Sequence, residues 1–219
     1  MSKAYRIDRI IMITHKWQRK KRLNSICNRY LAKSQVANCS AERISIKYAN
    51  FRGSLFKKVN FNGSIICGCD FWGTLFNDCK FHNTEFRNCV FVGSRFKTCD
   101  FTGAKFYDCI IVNTNLSECH NLDVSSGIKL LYTYPKCSLD SELERSLRAL
   151  EKNANMRKTK LLQISDKKYN HLNLFLLQKQ FGLRLPSILL EFSKCSAKGI
   201  TTYKKLESVL KSIEDLAIM

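Results

Sequence analysis

A five-residue beat runs through the middle of this chain, from Ile46 to Leu116, and it limits what the chain can become. Phe stands at 51, 56, 61, 71, 76, 81, 86, 91, 96, 101 and 106, with Ile or Leu at 46, 66, 111 and 116. Eleven of the fourteen phenylalanines therefore share one phase. A fixed internal period marks a repeat architecture. Five residues match neither the helical period nor the strand period. They suit a short extended segment, a corner, and another segment. Two residues before each centre sits something small, and from Cys69 to Cys119 this slot alternates Cys with Thr, Ser or Ala. Side chains alternate along an extended segment, so the centre and the small residue share the inward face. Polar pairs such as Asn77-Asp78 and Arg87-Asn88 then point outward. Gly53, Gly63, Gly73, Gly93 and Gly103, with Asn83 and Asn113 in the same slot, mark every second corner. These residues accept a positive φ at least cost.

Words such as Cys69-Asp70-Phe71-Trp72-Gly73 and Cys99-Asp100-Phe101-Thr102-Gly103 resemble the pentapeptide-repeat family. That resemblance implies a β-solenoid, a right-handed quadrilateral parallel β-helix with four pentapeptides per coil. The fifteen beats then predict about four coils and a rod roughly 18 Å long at the spacing of parallel strands. With twenty residues per coil, Cys69, Cys89 and Cys109 stack on one face and Cys79, Cys99 and Cys119 on the opposite one. Six of the eleven cysteines thus fill an inward slot that other repeats give to Ser, Thr or Ala. They read as packed reduced thiols, because a buried free Cys behaves as a small hydrophobe. A reducing, cytoplasmic compartment is the expectation. Cys67 points outward and Cys69 inward, so they do not share a metal ion, and Cys27, Cys39, Cys137 and Cys195 lack ligand spacing. No cofactor is expected.

The expected domains are an N-terminal basic arm and helical cap over 1–38, the repeat helix over 39–123, an exit loop over 124–137 and an all-α subdomain over 138–219. The formal charge of +19 is uneven: residues 1–40 hold ten Lys/Arg against one Asp, and residues 41–123 ten against eight acids. Residues 124–219 hold seventeen against nine. Within the arm, Lys16, Trp17, Arg19, Lys20, Lys21 and Arg22 form a candidate polyanion-binding run for nucleic acid or an anionic membrane surface. Leu23, Ile26, Cys27, Tyr30 and Leu31 follow at helical spacing and predict a short capping helix. The stretch Ile10–Ile13 is too short for a signal peptide, and no apolar run is long enough to span a bilayer. After Cys119 the beat fails, with Asn121 in the central slot. Further on, Ser141 and Glu144 read as a capping box, and Leu172 to Phe181 as a helix stopped by Gly182. Pro186 opens a third helix that Gly199 ends, and Thr201 or Thr202 caps a fourth carrying Leu206, Val209, Leu210, Ile213 and Leu216.

One solenoid face differs from the others. Its outward positions are Trp72, Val90, Val92, Ile110 and Val112, an apolar stripe that calls for cover by the C-terminal helices or by a protein partner. The opposite face carries Asn60, Asn62, Lys80, His82, Asp100 and Thr102. Of His15, His82, His120 and His171 only His82 lies within the regular solenoid, with no paired carboxylate in its own repeat, and no glycine loop suits a phosphate, so no enzyme is expected. The first functional reading is a non-enzymatic protein-interaction scaffold, with self-association through the helical subdomain as one form of partner. A second is a modulator of DNA gyrase or topoisomerase, implied by resemblance to antibiotic-resistance and self-immunity members of the family. The third is a nucleic-acid-associated protein that uses its basic flanks.

Overall fold

The computed structural model describes residues 9–15, 18–165 and 168–218. The chain divides into two compact units, 1–133 and 134–219.

The first unit is a parallel β-solenoid of about six turns with a quadrilateral section. Its first face is a six-stranded sheet of Ile11–Ile13, Gln35–Ala37, Leu55–Lys57, Leu75–Asn77, Arg95–Asp100 and Asn115–His120. A ladder of single bridges through Arg22, Ser40, Asn60, Lys80 and Asp100 makes the second face. The third is a five-stranded sheet from Ile26–Cys27 to Lys105–Tyr107. The fourth stacks Asp70–Trp72, Val90–Val92, Cys109–Val112 and Ile128–Leu131, continued by bridges at Asn50 and Tyr30. Partners in adjacent coils are twenty residues apart, as in Val36 opposite Phe56 and Ile46 opposite Ile66.

Ring stacking follows directly from this register. Phe51, Phe71 and Phe91 form one column, Phe56, Phe76 and Phe96 a second, and Phe61, Phe81 and Phe101 a third, with centroid separations of 4.8–5.7 Å. Neighbouring columns meet edge to face, as at Phe76–Phe81, 5.6 Å and 71°. Both arrangements suit the aromatic quadrupole. The small inward slot has a second task besides fitting beside a ring. Thr74 Oγ1 donates to the Phe51 carbonyl at 2.9 Å and Thr84 Oγ1 to that of Phe61 at 2.9 Å. Cys89 Sγ does the same to Ile66 at 3.3 Å, one coil back. Hydroxyl and thiol are interchangeable there because each is small and each donates.

Every fifth residue from Asn28 to Asn113 has a positive φ, between 43° and 68°. The left-handed corner is therefore universal, not confined to alternate repeats, and Lys33, Arg43, Tyr48, Lys58 and Thr98 adopt it beside the glycines. Coil stacking imposes the conformation, and Gly or Asn only lowers its cost.

The N-terminal expectation fails in an informative way. No helix occurs among the described residues of 1–38. Ile26, Leu31 and Val36 hold the centres of an earlier coil, and Met12 stands opposite Val36 in one earlier still. The solenoid is longer than about four coils for this reason. The beat continues in aliphatic residues, and Leu23, Ile26, Cys27, Tyr30 and Leu31 satisfy a helical spacing as well as the five-residue one. The exit segment also holds a strand, Ile128–Leu131, that pairs with Cys109–Val112 in the last coil.

The second unit comprises α1 (Ser141–Leu150), α2 (Ala154–Thr159), α3 (His171–Phe181), α4 (Leu185–Ser193) and α5 (Tyr203–Ile218). It is not all-α, since Gln163–Ser165 and Lys168–Tyr169 pair antiparallel. The residue that caps α1 is Asp140, whose Oδ1 accepts from Leu143 N at 2.8 Å, rather than Ser141. Gly182 ends α3 as its φ of 57° allows, and Pro186 lies in the first turn of α4. That helix stops at Ser193, well before Gly199. Thr202 Oγ1 accepts from Lys205 N at the start of α5. On α5, Leu206 and Leu210 are buried, Val209 and Ile213 half-buried and Leu216 exposed. No helix of the described residues is long and apolar enough to cross a membrane.

Candidate functional site

The coil lattice decides which side chains meet, and it pairs residues that lie far apart in sequence. On the second face, His82 Nε2 lies 2.8 Å from Asp100 Oδ2, one coil on. Asp100 Oδ1 accepts from Thr102 Oγ1 at 2.6 Å and from Asn121 Nδ2 at 3.3 Å. Above them, Asn60 Nδ2 donates to Glu42 Oε1 at 2.6 Å, and Ser40 Oγ donates to Glu42 Oε2 at 2.9 Å. The hydroxyl of Thr102 first, then its backbone N–H and His82, hold the Asp100 carboxyl well below the usual carboxylate range. A depressed native pKa means a contribution that is whole above the unfolded value, about 3.9, and is lost as pH falls through the native one. Asp100→Asn is therefore expected to lower the melting temperature at neutral pH, with the gap to the parent narrowing steadily below about pH 4. Thermal melts across pH check this, and a gap independent of pH would mean that Asp100 acts through shape alone.

Most of the ladder thiols are buried, and the hydrogen bond with the Cys79 thiol draws Cys99 down from its ordinary value. All eleven cysteines are free. Burial pushes the Cys79 and Cys89 thiols well up and Cys119 up to about 12, so none of these is a ready nucleophile. Cys27 and Cys195 are exposed. Thiol labelling followed by peptide mapping is expected to modify these two at once and Cys69, Cys79, Cys89, Cys99 and Cys109 only as the chain unfolds. Early labelling of the buried five would show a core that opens locally.

The other residues singled out by sequence fall in different places. Trp72, Val90, Val92 and Val112 are buried and Ile110 is half-buried, so this stripe is not a surface offered to solvent. The Arg52 guanidinium lies over the Trp72 ring at 4.5 Å. Arg19, Lys20, Lys21 and Arg22 are exposed, while Lys16 and Trp17 lie outside the described residues. Arg19, Lys20 and Lys21 belong to a loop and not to a helix, and Arg22 bridges to Ser40 at the start of the second face. Met12 pairs with Val36, twenty-four residues on instead of twenty, so the first coil is four residues longer than those after it, and the extra length bulges out between Met12 and Leu23. Buried Thr14 fixes the base of the loop. Its Oγ1 accepts from Lys21 N at 3.0 Å, and its carbonyl accepts from Asn38 Nδ2 at 3.0 Å. Buried Leu23 returns the chain to the stack, with Leu23 N donating to the Ser40 carbonyl.

At the far end the missing phenylalanine leaves space. A cavity of about 540 Å³ is lined by Ile111, Leu116, Cys119, Leu122, Leu130 and Tyr132, among others. Among the described residues no group of three His, Cys, Asp or Glu side chains is placed to hold a metal ion.

Coils of four five-residue segments around a filled interior define a class of repeat solenoid. Residues 71–120 match a family model described as pentapeptide repeats in nine copies, and residues 38–73 match another in eight copies. Over residues 38–120 the chain carries pentapeptide repeats, and the family match is confined to this part of the solenoid. Among solved structures it is similar to the pentapeptide repeat protein Rfr23 from the cyanobacterium Cyanothece 51142, at 10% identity and TM-score 0.31. That match covers 56% of this chain and 81% of the other. It is also similar to full-length QnrB1, a plasmid-mediated fluoroquinolone resistance protein, at 12% identity and TM-score 0.17 over 56% of this chain and 92% of that one. Neither likeness extends to function. No curated protein matches the chain.

Proposed function

We propose that this chain is a non-enzymatic interaction scaffold that binds another protein through an outer face of its solenoid. One observation carries the reading. The interior is filled by stacked rings, so what the repeat offers is a stiff lattice of outward side chains at coil spacing. The second face suits a protein partner best. Lys80 is exposed there, and Asn62, His82, Asp100 and Thr102 set donors and acceptors in fixed positions around it. Such a surface offers specificity through hydrogen-bond geometry more than through apolar area.

The test is affinity capture from the source cells with three baits: the parent, Lys80→Glu on the second face, and Lys105→Glu on the third. A protein held by the parent and the Lys105 variant but lost from the Lys80 variant supports the reading. An identical set on all three baits overturns it. Light scattering of the purified chain separates self-association from binding to a different protein.

A further inference from the structure

The first face differs from the second in charge, and the difference emerges only when the coils are stacked. Its outward positions lie one residue before and one after the centres Val36, Phe56, Phe76, Phe96 and Leu116. Lys57, Arg95 and Lys97 occupy three of them, and none of those positions holds an acid. All three cations are exposed, and among the described residues none is ion-paired with a carboxylate. Glu118 stands opposite Lys97 across an irregularity in the last coil, without an ion pair between them. The inserted loop with Arg19, Lys20 and Lys21 springs from the N-terminal edge of this same sheet. From Met12 to Phe96 the sheet crosses four strand spacings, about 19 Å.

We propose that this face is a phosphate track for nucleic acid, with Lys57, Arg95 and Lys97 along the rod and the Thr14-anchored loop gripping one end. The claim is separate from the protein-binding reading of the second face. Three features point to a nucleic-acid backbone. The cations form a narrow stripe that runs with the coil axis, as phosphates run along a strand. The corner beside it carries Asp78, which accepts from Thr98, and Glu118, so a flat anionic bilayer laid on this side would also meet carboxylates. No outward position of this face is aromatic, so base stacking has no platform and contact falls on phosphates without regard to sequence.

The experiment is fluorescence anisotropy of a short labelled DNA duplex with the full chain, titrated at salt concentrations from about 50 to about 200 mM. Each phosphate neutralised adds about 0.9 to the slope of log affinity against log salt. The triple variant Lys57→Gln, Arg95→Gln, Lys97→Gln is expected to reduce that slope by about 2.7, and neutralising the three loop cations Arg19, Lys20 and Lys21 by about 2.7 as well. The control pair Lys47→Gln, Lys105→Gln on the third face is expected to leave it unchanged. Thermal melts establish that each variant is folded. The loop variant tests the claim by itself should the triple variant not fold, because its substitutions lie on exposed side chains outside the stack. Parental slope in both variants overturns the proposal. So does binding to phosphatidylserine-rich vesicles with none to the duplex, which assigns the stripe to a membrane.

Discussion

Truncating Phe76 to alanine is expected to remove about 3–5 kcal/mol from the stability of the solenoid, the range for large aromatic deletions in a packed core. Phe76 is fully buried in the middle of its column. It stacks on Phe56 at 5.2 Å and on Phe96 at 4.8 Å, and meets Phe71 and Phe81 edge to face at 5.5 and 5.6 Å. The hole has no route to collapse, because backbone bonds between coils fix the neighbouring strands. Since each coil touches only its neighbours, the loss falls on the coupling between the two halves of the stack. The unfolding transition should therefore broaden and its denaturant slope fall. Phe106→Ala supplies the contrast: its one column neighbour is Phe86, at 4.9 Å, and it is less deeply buried, so a cost of about 2 kcal/mol is expected. Urea denaturation followed by circular dichroism measures both. A Phe76→Ala cost no larger than that of Phe106→Ala would show that the columns do not act as a continuous core.

How much of this is legible before folding depends on which side chain holds the beat. Phenylalanine at every fifth position admits one explanation. The same phase in Ile26, Leu31 and Val36 does not, because those aliphatics with Leu23 and Tyr30 also satisfy a helical period. Only the pairing of Ile26 with Ile46 and of Val36 with Phe56 resolves it. The His82–Asp100 pair was hidden for a related reason. Eighteen residues separate the partners, from just after one centre to just before the centre one coil later, so a search within single repeats passes over it. The stripe of Lys57, Arg95 and Lys97 is similarly scattered in sequence and becomes one feature only when coils are stacked. The basic run was visible as composition, but its form was not. That depended on the four extra residues between Met12 and Val36, which show only in the register. In the helical unit Gly182 and Pro186 act where their backbone preferences put them. The antiparallel pair of Gln163–Ser165 and Lys168–Tyr169 has no comparable signature, with Gln163 and Ser165 facing Tyr169 and Lys168.

Gly127→Ala is expected to detach the last strand from the stack. Gly127 has a φ of +69°, and an added Cβ would fall onto the Phe106 carbonyl oxygen and within 2.6 Å of its carbon. The obstacle is backbone of the preceding coil, so no side-chain rotation relieves it. The left-handed conformation itself costs about 1–2 kcal/mol for a residue bearing a Cβ. Lys33 and Arg43 show that this term alone is tolerated within the stack. The clash is what decides the outcome. Separation of the two backbones breaks the 2.9 Å bond from Cys109 N to the Gly127 carbonyl, and with it the pairing of Ile128–Leu131 with Cys109–Val112. Gly73→Ala separates the two causes, since Gly73 shares the positive φ, +58°, but a Cβ there meets nothing within 4 Å. That variant is expected to lose only about 1–2 kcal/mol and to keep every strand. Hydrogen exchange at Cys109 and at 128–131 reads the difference. Protection should collapse in Gly127→Ala while the amides of the coils centred on Phe56 and Phe76 stay protected. Equal protection in the two glycine variants would mean that the end of the solenoid yields enough to admit a methyl group, and that the last strand is held by something other than this close approach.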